Sequence, residues 1–282
     1  MSKSQFLMKT LVKYATLQST SCPYCDSEQT SVAQWKNGIW QLRHCAECSL
    51  NFRFPKDDPQ ENASFYQKNY RQENVTDLPR EQDISFHISD RFRSVGRDLT
   101  THLRTIRAVV PPGRRILDYG SSWGYGVYQL SEAGYDAMGF EISRPRVDYG
   151  QRTLNVNLTS DINSLPSQGF DAIYSAHVLE HIPTPRITLT TFQRLLRPGG
   201  KLFLYVPNCS GDQAKRLGVK WGQMINEKHV LALTAEFFHK NLSGHGFSTE
   251  FSSSPYEKPP QALPQNWDLS GEELLVVGTL QP

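Results

Sequence analysis

The chain has 282 residues, with 30 Lys and Arg against 28 Asp and Glu and a formal net charge of +2. That length fits one large α/β domain plus a small accessory module, and the charge balance gives no reason to expect a wholesale nucleic-acid coat. No apolar run approaches the ~20 residues that span a bilayer.

The start of the chain is interrupted by Lys3, Lys9 and Lys13 and lacks the apolar core and cleavage site of a signal peptide. A cytoplasmic location with reduced thiols is therefore expected. Cys22-Pro-Tyr-Cys25 and Cys45-Ala-Glu-Cys48 are two C-x2-C knuckles, a spacing suited to a four-thiolate zinc ribbon. The alternative for the same cysteines is structural or disulfide pairing without metal. Between the knuckles, Val32–Trp35 and Ile39–Leu42 flank an Asn37-Gly38 hairpin signal. A closed four-cysteine site leaves no open coordination position, so zinc there would hold structure only. Cys209 stands apart and reads as a small buried residue.

The Pro-bounded stretch Pro55–Gln60 ends this module, expected over residues 1–55. Residues 56–84 read as a linker, with the aromatic segment Phe65-Tyr66 to Tyr70-Arg71, and residues 85–282 as the α/β domain. Ile88, Phe92, Val95, Leu99, Leu103, Ile106 and Val110 recur at steps of three and four, which predicts one amphipathic helix. Pro111-Pro112-Gly113 stops it, and Arg93, Arg97, Arg104 and Arg107 fall on its solvated side.

Strands and helices then alternate. Strands are expected at Arg115–Leu117, Ala137–Phe140, Asn155–Leu158, Phe170–Tyr174, Lys201–Val206, Phe247–Phe251 and Leu274–Leu280. Helices are expected from Tyr125 to Ala133, from an N-cap at Ser143 to Arg152, around Ile187–Leu196, and from a cap at Thr234 to Leu242. This order argues for a Rossmann-like, doubly wound parallel sheet with ligands at the carboxyl ends of its strands.

The first of these strands ends on Asp118 and enters a small-residue turn with Gly120, Ser122 and Gly124. Glycines there let backbone N–H groups approach a ligand, and the helix N-terminus beyond favours negative charge. Glu141 ends the second strand, where a carboxylate can accept both hydroxyls of a ribose. Asp161-Ile162 follows the third, where a carboxylate could accept an adenine amine or cap a turn.

Asp118-x-Gly120-x-Ser122-x-Gly124, Glu141, Asp161, Phe170-Asp171-Ala172-Ile173, His177-Val178-Leu179-Glu180-His181 and Leu196-Arg197-Pro198-Gly199-Gly200-Lys201-Leu202, in that order, resemble class I S-adenosylmethionine-dependent methyltransferases. The ribbon with Phe65-Tyr66 and Tyr70 after it resembles the subgroup of sugar C-methyltransferases and natural-product O-methyltransferases. Ser122 departs from the family, which often has glycine there. The resemblance implies that Asp118 and the Gly120 and Gly124 backbone hold the methionine moiety. Glu141, with Ile142 beside it, would hold the ribose, and Asp161 with Ile162 the adenine. Tyr66 and Tyr70 would form a lid, or else simply pack the linker.

A sulfonium already activates its methyl group, so the protein must align the nucleophile and, where needed, remove a proton. The resemblance makes His229, with Glu227, the leading base; His177 is a second candidate, or a structural residue. Glu180 and His181 read as loop packing and capping. His177-x-x-Glu180-His181 also spells an inverted zinc-protease motif, but the run leaves a strand and meets Pro183 and Pro185, which denies it a regular helix.

The expected substrate is a small molecule, such as a nucleotide-linked sugar, methylated at oxygen or carbon. RNA methylation is the enzyme alternative, opposed by the absence of a concentrated basic ribbon. A non-catalytic S-adenosylmethionine-binding module is the third reading, opposed by the intact Asp118, Glu141 and Asp161.

Overall fold

A computed structural model describes residues 10, 12–14, 18–68, 78–256, 259–262 and 269–282. The strands are β1 (Thr30–Lys36), β2 (Trp40–Cys45), β3 (Asn51–Phe54), β4 (Arg115–Tyr119), β5 (Asp136–Phe140), β6 (Leu158–Thr159), β7 (Phe170–Ala176), β8 (Leu196–Pro207), β9 (Leu231–Ala232), β10 (Phe247–Ser253) and β11 (Glu273–Leu280). They form a four-stranded sheet, β1-β2-β3-β9, and a seven-stranded sheet, β10-β11-β8-β7-β4-β5-β6. β4 runs parallel to β5 and to β7, and β5 runs parallel to β6. The large sheet is mostly parallel and Rossmann-like, the fold class read from the sequence.

The chain divides into two compact units. One comprises Met1–Asn62, His177–Gln193 and Leu204–Gly278; the other comprises Ala63–Ala176, Arg194–Phe203 and Thr279–Pro282.

In the first unit, Asn37 and Gly38 both take left-handed backbone angles (φ 54° and 68°), as a tight hairpin turn requires, and β1 and β2 pair antiparallel across it. β9 adds to the far edge by pairing with β3, Asn51 opposite Ala232. Trp40 and Leu42 of β2 pack with Val219, Trp221, Met224 and Ile225 in one apolar cluster, with Cys209 partly buried against it. The helix Ala235–Leu242 is capped as expected, Phe237 N–H donating to Thr234 Oγ1 at 3.2 Å.

In the second unit, Ile116 and Leu117 are fully buried in the centre of the sheet. Three readings are corrected here. The single helix expected from Ile88 to Val110 is two helices, Ile84–Ser89 and Thr100–Val109, with a short turn Arg93–Val95 between them. Phe92 and Gly96 flank that turn in left-handed conformations (φ 57° and 65°), which no helix accommodates. The regular apolar spacing records a shared buried face, on which Phe92 meets Trp123 and Tyr128.

The strand expected from Asn155 starts only at Leu158, because Asn155 (φ 52°) ends the helix Arg144–Leu154 in the left-handed region. Ser143 makes no side-chain cap on that helix; its amide donates to Glu141. No helix among the described residues is long and apolar enough to cross a membrane.

Candidate functional site

β4 ends at Asp118-Tyr119, and the chain reverses at once. Gly120 (φ 85°), Ser122 (φ 52°) and Gly124 (φ 84°) all take left-handed conformations, which glycine adopts freely and serine only at a cost. Two bonds hold Ser122 there. Its N–H donates to Glu141 Oε2 at 3.0 Å, and its hydroxyl accepts from Arg146 Nη1 at 2.7 Å. Ser143 N–H donates to the other oxygen, Glu141 Oε1, at 2.8 Å. The Ser122 amide thus ties the turn to the carboxylate that follows β5, and its hydroxyl adds a bond to Arg146 that glycine could not make.

Asp118 is 4% exposed. Burial pushes its carboxyl up to about 8, and the Glu141 carboxylate adds in the same direction. Burial also raises Glu141, against the opposing pull of the Ser143 amide, Arg146 and the Ser122 amide. Gly126, in the first turn of the helix Tyr125–Glu132, leaves the room Asp118 occupies: a Cβ there would lie 2.3 Å from Oδ2. A buried carboxyl with a raised pKa, set in a glycine cradle, suits a ligand that supplies positive charge. S-adenosylmethionine carries that charge on its ammonium and sulfonium groups, so these residues fit the donor.

The remaining donor candidates lie along the same edge. Ile142, directly after Glu141, keeps 36% of its surface exposed, and its carbonyl accepts from Gln67 Nε2. Gln67 sits near the end of the helix Pro59–Lys68, so its neighbour Tyr66, partly buried, belongs to a helix end fixed beside Ile142. Tyr70 lies outside the described residues. Asp161 Oδ1 accepts from Asn163 N–H at 2.9 Å and caps the short turn Ile162–Ser164. The Ile162 carbonyl accepts from Arg194 Nη2 at 3.3 Å.

A second constellation belongs to the first unit. His177, the residue after β7, has a left-handed backbone (φ 54°); its Nε2 lies 2.6 Å from Glu273 Oε2 and its Nδ1 3.4 Å from Glu180 Oε1. Burial disfavours the charged ring, but Glu180 and Glu273 outweigh it and push its pKa up to about 10. Glu180 and His181 lie on a short 3-10 turn, Leu179–His181, not on a regular helix. Glu180, His181 and His229 bring one ligand atom each within 4.8 Å of one another.

His229 is held from behind, its Nδ1 2.9 Å from the Gln223 carbonyl. Burial and the neighbouring His181 lower its pKa to about 4. Val230 N–H donates to the Glu180 carbonyl at 2.9 Å, which joins the two loops directly. Arg53 is 2% exposed and braces the His229 loop, with Nη1 donating to the Asn226 and Glu227 carbonyls at 2.6 and 3.1 Å. The Glu227 side chain itself is exposed. The structure therefore gathers His229, His181 and Glu180, with His177 beside Glu180, and leaves the Glu227 side chain outside that group.

The four knuckle cysteines converge as well. Cys22 and Cys48 Sγ are 3.4 Å apart, Cys25 and Cys45 Sγ 3.5 Å, and all four lie within 4.8 Å of one another. None of the four is in a disulfide. Tetrahedral zinc–thiolate geometry places sulfurs roughly 3.8 Å apart, so the donor set is compatible with a structural zinc ribbon. The second knuckle is anchored by Asn241 Nδ2, which donates to the Cys48 carbonyl at 2.8 Å.

Residues 89–250 match the family described as "Methyltransferase domain". This is more than half of the chain, which belongs to that family and is a class I S-adenosylmethionine-dependent methyltransferase. A demethylmenaquinone methyltransferase of Clavibacter sepedonicus is 30% identical over 178 residues, covering 60% of this chain and 71% of the relative. A ubiquinone biosynthesis O-methyltransferase of Coxiella burnetii is 33% identical over 104 residues, covering 34% of this chain and 44% of the relative. The chain thus spans less than half the length of the second relative. Among solved structures, the 1,6-didemethyltoxoflavin-N1-methyltransferase of Burkholderia thailandensis superposes with a TM-score of 0.53 at 18% identity. The match covers 85% of this chain and 99% of that one, a likeness of fold.

Proposed function

We propose that this enzyme transfers the methyl group of S-adenosylmethionine to an oxygen or carbon of a small molecule, with a nucleotide-linked sugar or another natural-product or cell-envelope precursor as acceptor class. The observation that carries the donor half is the buried Asp118 carboxyl in its glycine cradle. Asp118 and the Gly120–Gly124 turn bind the methionine end, Glu141 and Ile142 the ribose side, Asp161 and Ile162 the adenine, and Tyr66 and Tyr70 cover it. The Clavibacter and Coxiella relatives are named for demethylmenaquinone and for ubiquinone biosynthesis, which supports a small acceptor.

The acceptor half rests on His229. Its depressed pKa keeps the imidazole neutral at neutral pH, able to receive a proton as the acceptor oxygen or carbon attacks the methyl carbon. Glu180 beside it favours the imidazolium that forms. His177, paired with Glu273 and Glu180, orients the acceptor. Glu227, with its exposed side chain, serves a lesser role at the rim.

The test is transfer from methyl-labelled S-adenosylmethionine to a panel of nucleotide-linked sugars, quinol precursors and total RNA. Label in a small-molecule fraction, with S-adenosylhomocysteine released in equal amount, is the expected result. Label in RNA alone would overturn the acceptor reading.

A further inference from the structure

Glu180 is the most anomalous side chain in the first unit. It is 1% exposed, and neither carboxylate oxygen has a hydrogen-bond partner among the described residues. Buried carboxylates are ordinarily saturated with donors or bound to a cation. The nearby His177 ring lies closer to Glu273, at 2.6 Å, than to Glu180, at 3.4 Å, and so does not saturate the Glu180 carboxylate.

The two histidines facing Glu180 are oriented in the same way. His181 Nδ1 lies 3.1 Å from the Lys228 carbonyl, and His229 Nδ1 lies 2.9 Å from the Gln223 carbonyl. A carbonyl only accepts, so each Nδ1 carries the proton, which makes Nε2 the nitrogen suited to bind a metal ion. His181 Nε2 is turned to Glu180 Oε1 at 3.9 Å. The two rings stand nearly perpendicular, 89° apart with centroids 4.7 Å from each other. Metal-bound histidines show this arrangement: the distal nitrogen is fixed by a backbone carbonyl and the proximal one is aimed at the ion.

We propose that Glu180, His181 and His229 form a divalent-cation site of the two-histidine, one-carboxylate type, taking zinc(II) or a similar borderline-soft ion. Bound donors at ~2.1 Å from an ion lie ~3.4 Å apart, so the set, now within 4.8 Å, closes by at most about 1.4 Å. The loops that move are already joined by the Val230–Glu180 backbone bond.

Three protein ligands leave positions open, unlike the closed four-cysteine site. An acceptor hydroxyl bound there would ionise more readily. The role, though not the binding, rests on the acceptor reading above, and it makes His229 a ligand while the ion is present.

The experiment is cobalt(II) titration of the full chain, followed by absorption. Two equivalents are expected: one with thiolate-to-metal charge transfer from the cysteines, and one with weak visible bands and no charge transfer, from oxygen and nitrogen donors. Glu180→Gln and His229→Gln should each weaken the second equivalent by more than about tenfold and leave the first intact. S-adenosylmethionine binding and circular dichroism serve as checks on folding. A single equivalent, or a second one unaffected by either substitution, overturns the proposal. Methyl transfer measured on the same samples separates the two readings: transfer without a second ion refutes the site alone, and a second ion without transfer to any small molecule refutes the acceptor reading alone.

Discussion

The glycine turn after β4 and the Glu180–His181–His229 group are built in opposite ways. The turn is written almost continuously: Asp118, Gly120, Ser122, Gly124 and Gly126 all fall within nine residues of chain, and only Glu141 and Arg146 come from the next strand and helix. The histidine group joins a turn after β7 to a loop before β9, and its support, Arg53, comes from β3. The first therefore depends on local backbone conformation and small side chains. The second depends on buried polar contacts between remote segments, each costly to lose.

That contrast predicts where each region breaks. The largest effect should follow Cys25→Ser with Cys45→Ser. Metal analysis should fall by one zinc per chain, and the melting temperature should drop by roughly 10 °C or more, since structural zinc contributes directly to folding. Because β1–β3 share a compact unit with His229, methyl transfer should fall further than S-adenosylmethionine affinity. Equal losses would mean that the two regions are not held independently.

His229→Gln should lower kcat/KM by about 100-fold or more with S-adenosylmethionine binding unchanged. Glu227→Gln, which alters an exposed side chain, should change it by less than about threefold. A large loss in Glu227→Gln would restore that residue to the reacting group.

The sequence reveals the first region well and the second poorly, for physical reasons. Strands such as Phe170–Ala176 are apolar runs bounded by turn residues, and a glycine turn is visible because only small residues tolerate its backbone. The knuckle cysteines are equally legible from spacing. Periodicity cannot distinguish one helix from two that share a buried face, so the break at Phe92 and Gly96 was hidden. Nor can it show that Glu180 and His181 meet His229, a contact set by the pairing of β9 with β3. Arg53 reads as an ordinary strand arginine until its carbonyl partners are seen.

Smaller effects refine the turn. Gly126→Ala places a Cβ against Asp118 and should weaken S-adenosylmethionine binding by roughly tenfold, with a stability loss of about 1–3 kcal/mol. The pH dependence has a definite sign. Asp118 in the folded protein titrates near 8, above its unfolded value, so the native state holds a proton that the unfolded chain releases. Stability relative to Asp118→Asn should therefore be greatest below about pH 4 and decline as pH rises to about 8. Denaturant melts of both proteins across that range would show it, and an intact protein that gains stability relative to Asp118→Asn as pH rises would contradict a raised pKa for this buried carboxyl.

The most direct measurement is calorimetric titration of S-adenosylmethionine into the intact chain and into Asp118→Ala. Saturable one-to-one binding, weakened by about 10- to 100-fold in the variant as expected for a lost charge-assisted contact, is the predicted result. No binding to the intact protein, or equal affinity in both, would contradict the assignment of the β4 turn as the methyl-donor site.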